Sequence, residues 1–358
     1  MSKFSVEDYD FSLPEQLIAQ APVEPRDHSR LLVLDRKTKT WEHRHFYDLP
    51  EYFNDQDVFV ANNSKVIRAR LLGRRIREEN GEKVLGGRVE FLLLEKKQSK
   101  TWEGLMHASA KYKVGFEFEV LYGHKEQWIT GKVIEGSESS EWGTVIVEFD
   151  QDPTEVEAGD MPLPPYIHRR SNISDLKSYQ TVYAKELGSA AAPTAGFHFT
   201  PDVLEKLKTK KSSWEEVTLH VGLGTFRPVK AQDIREHQMH EERYEVSSQT
   251  AESLLNAKKN NKRITAVGTT AVRTLESAWS VKDNQFKTGA QRTSIFLYPG
   301  AAEFHVVDRL LTNFHLPKST LLMLVSAFAD RDFILAAYQE AIAKKYRFFS
   351  YGDAMLIL

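Results

Sequence analysis

The chain has 358 residues, a length that favours two domains over a single hydrophobic core. It contains no cysteine, which excludes disulfides, thiolate zinc sites and cysteine-ligated iron–sulfur clusters, and with them radical chemistry on such a cluster. A net charge of −2 argues against a generic nucleic-acid binder, so contact with RNA requires a local basic patch.

The N-terminal residues are typical of an α/β layer. A helix is expected over Leu13 to Ala19, followed by strands over Arg30 to Asp35 and Asp57 to Ala61. The first residues are acidic and mixed rather than signal-like, and the apolar run from Leu321 to Ala329 is far too short to cross a bilayer. We therefore expect a cytoplasmic protein without a membrane partner.

The pattern changes between about Ile67 and Phe149. Short β-type runs follow one another there, separated by glycine, asparagine and serine, with no helical periodicity. After Asp152-Pro153, helices and strands alternate again to the end of the chain. These residues predict a small all-β unit inserted into a discontinuous α/β domain.

Basic residues cluster where the β unit begins. Within thirteen positions the chain has Lys65, Arg68, Arg70, Arg74, Arg75 and Arg77. Such a patch can hold RNA phosphates. The solvated strand faces of a β domain would give the same pattern.

A run of small residues, GSAAAPTAGFHFT from Gly188 to Thr200, has too little side-chain volume to fill a core. Small residues let backbone amides approach a ligand closely. A helix is expected directly after the run, with Thr200 as N-cap and Pro201 as its first residue. The segment predicts an anion or polar-ligand site at a helix N-terminus beside His198. A tight strand-to-helix turn is the alternative.

The block VTLHVGLGTFRPV, from Val217 to Val229, alternates apolar with polar or small residues and predicts a strand. His220, Gly222 and Gly224 share one face, where the glycines would leave room for a flat ligand. The block is not a dinucleotide fingerprint, because Pro228 rather than a helix follows the glycines. Bulge glycines beside a hydrogen-bonded histidine are a comparable interpretation.

The segment EHQMHEE places His237 and His240 three residues apart, adjacent on a helix if one forms, among three glutamates. The zincin pattern H-E-x-x-H has its histidines four apart with a glutamate between them, so zinc binding is the weaker interpretation. A histidine flanked by carboxylates and tuned as an acid or base fits better.

In RITAVGTTAVRTLES, a strand over Arg263 to Val267 leads to Thr269 or Thr270 as helix N-cap, with Arg273 in the first turn. This arrangement can hold a carboxylate or phosphate. Ordinary capping explains part of the pattern.

A similar pattern follows in TNFHLPKST. Asn313 and His315 precede the N-cap candidates Ser319 and Thr320. Both polar residues are candidates for ligand contact, and capping again explains part of the pattern.

Together these blocks resemble one family, the S-adenosylmethionine:tRNA ribosyltransferase-isomerases of queuosine biosynthesis. The resemblance runs the length of the chain, and its many long matches in the expected order make it very specific. Beyond the three histidine-bearing blocks, it is carried by NNSKVIRARL (Asn62–Leu71), GDMPLPPYIHR (Gly159–Arg169), YQTVYA (Tyr179–Ala184), VGTTAVRTLES (Val267–Ser277), TNFHLPKSTLLMLVSAFA (Thr312–Ala329) and YRFFSYGDAML (Tyr346–Leu356).

The chain departs from the family pattern at three places. His107 to Lys111 replaces a basic stretch that resembles R-P-G-K-R. Ser178 stands where arginine is usual, and Ala301 and Ala302 replace the tyrosine expected after Pro299-Gly300. These changes bear on RNA contacts more than on the reaction.

The resemblance implies a barrel-like main α/β domain of residues 1–64 and 152–358, with a small all-β barrel domain of residues 65–151 inserted in it. It implies transfer and isomerisation of the ribosyl group of S-adenosylmethionine onto the aminomethyl-deazaguanine wobble base of tRNA. The products are epoxyqueuosine in tRNA, adenine and methionine. No cofactor or metal is expected, the partner is tRNA bearing the precursor base, and we expect a monomer.

Histidine titrates nearest neutral pH, so the candidates for acid–base catalysis are His198, His220, His237 and His240. The candidates for substrate binding are Thr194, Gly196, Gly222, Gly224, Thr225, Arg227, Thr269, Thr270, Arg273, Asn313 and His315. The candidates for RNA binding are Lys65, Arg68, Arg70, Arg74 and Arg75. Two other functions stay open, a catalytically silent tRNA-binding relative and a metal-dependent hydrolase that uses the EHQMHEE cluster.

Overall fold

A computed structural model of the chain describes residues 4–109, 111–123, 127–140, 142–222, 229 and 231–358. The strands are β1 (Arg30–Asp35), β2 (Thr40–His45), β3 (Asp57–Asn62), β4 (Ser64–Val66), β5 (Arg70–Glu79), β6 (Glu82–Gln98), β7 (Thr101–Ala108), β8 (Glu117–Tyr122), β9 (Gln127–Glu135), β10 (Val145–Phe149), β11 (Glu186–Ser189), β12 (Ser213–Leu219), β13 (Glu242–Val246), β14 (Arg263–Val267), β15 (Trp279–Ser280), β16 (Gln285–Phe286), β17 (Gly289–Thr293), β18 (Arg309–Asn313) and β19 (Ala354–Ile357).

The α-helices are α1 (Asp175–Ser178), α2 (Pro201–Thr209), α3 (Ser248–Lys259), α4 (Thr269–Ala278), α5 (Thr320–Ala329) and α6 (Arg331–Ala343). Short 3-10 helices span Val6–Tyr9, Glu15–Leu17, Arg26–His28, Phe46–Tyr52, Ser137–Ser139, Thr194–His198 and Ile234–Glu236. In the part of the chain that the structure describes, no helix is both long and apolar enough to span a membrane.

A nine-stranded sheet forms the centre of the molecule, in the order β17-β13-β12-β3-β14-β18-β19-β1-β2. Its four middle strands, β12, β3, β14 and β18, are parallel to one another, so their carboxyl ends lie at one edge. The fold is mixed α/β, as predicted. Within the described residues the strands run from one edge, β17, to the other, β2, and the predicted barrel-like closure of this sheet is not observed.

Helices cover both faces of the sheet, because its inner strands are apolar on both sides. In β3, Val58 and Val60 pack into the core shared with α3 to α6. Phe59 and Ala61 point the other way, into a second core that includes Val203 of α2. The carboxyl ends of the strands are thereby held between two helical layers.

The second sheet is a closed six-stranded barrel in the order β10-β7-β6-β5-β8-β9, and all its strands lie between Arg70 and Phe149. This agrees with the all-β pattern of these residues. Aromatic rings fill the interior, and the ring centroids of Phe118 and Phe149 are 6.0 Å apart. Gly131 lies against both rings, and a Cβ there would approach them to within 2.9 Å, so the packing leaves room only for glycine.

Two local predictions, one of a strand and one of a helix cap, are confirmed. β1 spans the predicted Arg30–Asp35, and the Thr200 side chain accepts from the Val203 amide to cap α2. The helix predicted over Leu13 to Ala19 is wrong, since only Glu15–Leu17 turns as a 3-10 helix. The following Ile18 instead pairs with Phe348 in an extended bridge, which draws the chain out of a helical path.

Candidate active site

A pocket opens at the carboxyl ends of the parallel strands, where ligands bind in open α/β sheets. It encloses about 730 Å³, including its open mouth. The described residues that line it are Tyr166, Tyr179, Ala191, Ala192, Pro193, Thr194, Ala195, Val221, Gly268, Thr269, Thr270, Thr312, Asn313, Phe314, His315, Leu316, Ser319, Leu321, Phe349 and Ser350. Five predicted substrate-binding residues, Thr194, Thr269, Thr270, Asn313 and His315, are among them.

The start of α4 forms one wall of this pocket. The N-cap is Gly268 rather than the predicted Thr269 or Thr270, and its φ of 88° is one that side chains rarely adopt. Thr269 and Thr270 are therefore the first helical residues, where backbone N–H groups have no acceptor within the helix. The Thr270 hydroxyl is also buried without a hydrogen-bond partner among the described residues. This end of the helix favours a carboxylate or another anion.

Asn313 stands in the opposite wall with a fixed amide. Its Nδ2 donates to the Phe349 carbonyl oxygen at 2.9 Å and lies 3.3 Å from Nε2 of His198. A carbonyl oxygen only accepts, so a flipped amide would place Asn313 Oδ1 against the Phe349 carbonyl oxygen, another acceptor. Asn313 Oδ1 is thus left buried without a partner among the described residues. An N–H or O–H group of a ligand would satisfy it.

His198 lies behind this wall and does not line the pocket. It is 3% exposed, and its Nδ1 is 2.7 Å from Oγ of Ser29. Because Nε2 accepts from Asn313, the ring proton is on Nδ1 and is donated to Ser29. Burial lowers the pKa of His198 to about 4. Both ring nitrogens are engaged, so the residue predicted as an acid or base is placed to position Asn313.

His315 is the one imidazole among the described residues that line the pocket. Its Nε2 is 2.9 Å from Oγ1 of Thr312, and its backbone N–H donates to the Tyr338 hydroxyl at 2.9 Å. Burial lowers the pKa of His315 to about 3, so the ring is neutral at physiological pH. A neutral ring can accept a proton or a hydrogen bond.

The small-residue loop has two roles that the sequence did not separate. Thr194 and the alanines before it line the pocket, as predicted. Gly196 does not line it, since a Cβ at that position would lie 1.9 Å from the Tyr183 hydroxyl. This glycine is required by packing against Tyr183, and the structure gives it no contact with the pocket.

The end of β12 divides the pocket from a second cleft. Val221 lines the pocket, whereas His220 and Gly222 line a cleft between the sheet and the barrel, together with His240 and Glu242. Burial, with Arg243 nearby, lowers the pKa of His220. The Nδ1 atom of His220 is buried with no partner among the described residues. His220 therefore faces away from the pocket that holds His315.

Arg273 is held away from the pocket by an internal ion pair. It lies in the second turn of α4 and not in the first, and its Nη1 donates to Glu242 Oε2. The other oxygen of Glu242 accepts from the Gly222 amide at 3.0 Å. The Nε and Nη2 atoms of Arg273 are buried and have no hydrogen-bond partner in the described part of the chain. Arg273 is not among the described residues that line the pocket.

The EHQMHEE segment does not form a helix that would bring its two histidines together. Only Ile234–Glu236 is helical, and His237 turns away to pack against Phe296 at 5.3 Å. His240 instead lies against Trp142 of the barrel. Among the described residues, no group of three or more potential ligand side chains is arranged to hold a metal ion.

Part of the positive charge of the predicted RNA patch is neutralised by carboxylates in the structure. Arg68 pairs with Glu157 and Arg70 with Glu90, at 3.4 and 2.8 Å. The Arg75 guanidinium lies over the Phe116 ring. Lys65 and Arg74 are the exposed members of the five. The predicted site residues Gly224, Thr225 and Arg227 lie outside the described residues.

Sequence reasoning did not select five polar residues of the pocket lining, Tyr166, Tyr179, Thr312, Ser319 and Ser350. Tyr166 and Ser350 line it with their hydroxyl oxygens 2.5 Å apart, and burial raises the pKa of Tyr166 to about 12. Each comes from a block quoted only for its resemblance, GDMPLPPYIHR and YRFFSYGDAML. The available signal was a polar residue inside an otherwise apolar or proline-rich block.

The fold and the pocket define an α/β protein with a polar ligand site at the carboxyl ends of its parallel strands and an attached β-barrel. A family model described as "Queuosine biosynthesis protein" matches residues 6–357, and the chain belongs to that family.

Relatives with specific names match nearly the whole chain. S-adenosylmethionine:tRNA ribosyltransferase-isomerase of Clostridioides difficile (strain 630) is 48% identical, with 98% of both chains covered. The protein of the same name from Thermosipho africanus (strain TCF52B) is 50% identical, again with 98% of both chains covered. The crystal structure of the S-adenosylmethionine tRNA ribosyltransferase of Thermotoga maritima is 38% identical, with a TM-score of 0.55, and the match covers 98% of this chain and 100% of that one.

Proposed function

We propose that this protein transfers and isomerises the ribosyl group of S-adenosylmethionine onto the aminomethyl-deazaguanine wobble base of tRNA. The products are epoxyqueuosine in tRNA, adenine and methionine. The observation that carries the proposal is full-length identity of 48% and 50% to relatives named for this activity. A pocket beside the N-terminus of α4, with the buried Thr270 hydroxyl and Asn313 Oδ1 in its walls, is consistent with a substrate that carries a carboxylate and several N–H and O–H donors.

In this proposal S-adenosylmethionine occupies the pocket at the strand ends. The methionine carboxylate lies at the first amides of α4, where Thr269 and Thr270 begin the helix. Asn313 Oδ1 accepts a hydrogen bond from an N–H or O–H of the nucleoside, and His198 keeps that amide in place. The small residues Ala191 to Ala195 leave room for the nucleoside against the backbone.

His315 is our candidate for the proton acceptor. The sulfonium acidifies the ribose C–H beside it, and removal of that proton allows adenine to leave with the electron pair. The aminomethyl nitrogen then attacks the sugar, and methionine departs as the epoxide closes. The assignment rests on position, because His315 is the one imidazole among the described residues that line the pocket. The remaining acid–base groups are expected among His220, His237 and His240.

Several attributes accompany this proposal. We propose a cytoplasmic monomer that acts on tRNA and needs neither a metal nor another cofactor. We also propose that residues 65–151 form a separate barrel domain inserted between residues 1–64 and 152–358. The spread of the barrel strands over Arg70 to Phe149 supports this division.

The test is a turnover assay with purified protein, S-adenosylmethionine and tRNA carrying the aminomethyl-deazaguanine. We expect equal amounts of free adenine and methionine, unchanged by EDTA, and none with tRNA that has guanine at the wobble position. Methylated tRNA with S-adenosylhomocysteine would contradict the proposal. Absence of turnover despite tRNA binding would favour a silent relative, and a stoichiometric metal by elemental analysis would favour the hydrolase.

A further inference from the structure

A groove follows the outside of the barrel beside residues 157–173. We call it the barrel groove, and its lining includes Arg70, Arg74, Arg88, Leu121, Trp128 and Arg170. The segment His107 to Ser109 also lines it. Cations from three separate parts of the chain therefore meet on one surface.

Most of the charge in this groove is not internally neutralised. Arg70 forms two hydrogen bonds with Glu90, at 2.8 and 3.2 Å. Arg74, Arg88 and Arg170 are exposed and have no ion pair among the described residues. Among the carboxylates that line the groove, the exposed Asp160 is the one that forms no ion pair with another described residue. The groove is thus cationic on a chain whose net charge is −2.

Two of these arginines repel each other. Arg74 of β5 and Arg88 of β6 are direct cross-strand partners, and like charges at such positions are destabilising. Glu119 of β8 lies on the other side of Arg74 but forms no ion pair with it. An anion bound between the two guanidinium groups would relieve the repulsion.

An aromatic platform lies in the same groove. Trp128 of β9 is directly opposite Leu121 of β8, and the two are 41% and 47% exposed. An exposed indole beside cations is the combination that binds unpaired nucleotides, because bases stack on the ring while phosphates meet the charges.

We propose that the barrel groove binds tRNA, with Arg74, Arg88 and Arg170 on phosphates and an unpaired base stacked on Trp128. The inference rests on the proposed function, which requires tRNA. The groove is also close to the pocket, since Asp160 lines one and Tyr166 the other. The six residue steps from Asp160 to Tyr166 span at most about 22 Å when fully extended, which limits the distance between the groove and the pocket.

The first test is the salt dependence of binding to labelled tRNA, measured by fluorescence anisotropy. In Arg88→Ala/Arg170→Ala, the slope of log affinity against log salt should flatten by about 1.4 to 1.8, because each lost phosphate contact removes about 0.7 to 0.9. The control Lys206→Ala/Lys210→Ala removes two exposed cations of α2 and its C-cap, and should keep the parent slope. A parent-like slope in the arginine variant overturns the proposal.

The second test separates stacking from charge. Trp128→Ala should weaken tRNA binding about tenfold at every salt concentration without changing the slope, and Trp128→Phe should retain most of the affinity. Parent-like affinity in Trp128→Ala overturns the stacking role. Both sets of variants should bind S-adenosylmethionine normally and raise KM for tRNA with kcat unchanged. A parent that binds tRNA through the groove without turnover would contradict the proposed function and leave this inference standing.

Discussion

Lowering the pH from 7 to 5 should destabilise this protein through His198. Burial lowers its pKa in the folded state to about 4, whereas the unfolded chain has the ordinary value of about 6.5. At pH 5 the unfolded state therefore binds a proton that the folded state does not, and stability is lost as the pH falls from 6.5 towards 4. Integrating the difference gives about 2 kcal/mol between pH 7 and pH 5.

The assay is urea denaturation, followed by tryptophan fluorescence, of the parent and His198→Gln at both pH values. The variant lacks the titrating group, so its deficit relative to the parent should shrink by about 2 kcal/mol at pH 5. His168→Gln is the matched control, because that side chain is 64% exposed and should leave the pH dependence unchanged. A deficit of equal size at both pH values would refute the reasoning.

Two further predictions concern the site and the sheet. His315→Asn should lower kcat by about a hundredfold or more with S-adenosylmethionine binding retained, the usual scale for a lost acid or base. The control His168→Asn, whose side chain is 64% exposed, should stay within about tenfold, and equal rates in both variants would remove His315 as the base. Asp57→Asn should cost about 3 kcal/mol of unfolding free energy, since buried Asp57 pairs with Arg263 and Arg309. Exposed Asp55→Asn serves as the control. If the Asp57 and Asp55 variants unfold at similar urea concentrations, the predicted loss of stability is contradicted.

Sequence patterns predicted those features whose cause is local. A short continuous apolar run located β1, and capping preferences located the starts of α2 at Thr200 and of α5 at Ser319. The roles of His198 and Arg273 were not predictable in this way. Their partners, Ser29 and Glu242, are 169 and 31 residues away in the chain. A histidine beside a small-residue loop has the same local pattern whether its ring faces a ligand or supports another side chain.

The basic residues likewise show that arginines close together in the sequence are not the same set as those that form a cationic surface. Arg70 lies within the run, yet Glu90, which is 20 residues away, neutralises it. Arg88 and Arg170 lie outside the run and still line the barrel groove. Charge in a sequence therefore indicates a candidate region, and strand register decides which of its members stay cationic.

Asn62 explains how the carboxyl ends of the strands become a site. Its Nδ2 donates to the Leu219 carbonyl oxygen and its Oδ1 accepts from the Leu219 amide, both at 3.0 Å. The side chain thus extends the β3–β12 pairing one step beyond the backbone register, which ends at Val217. With Leu219 fixed in this way, Val221 is directed into the pocket and His220 towards the cleft beside the barrel. The Asn62 amide therefore acts together with the hydrogen bonds of His220 to Arg243 and of Val221 to Ser189, which fix the side that each of these residues faces.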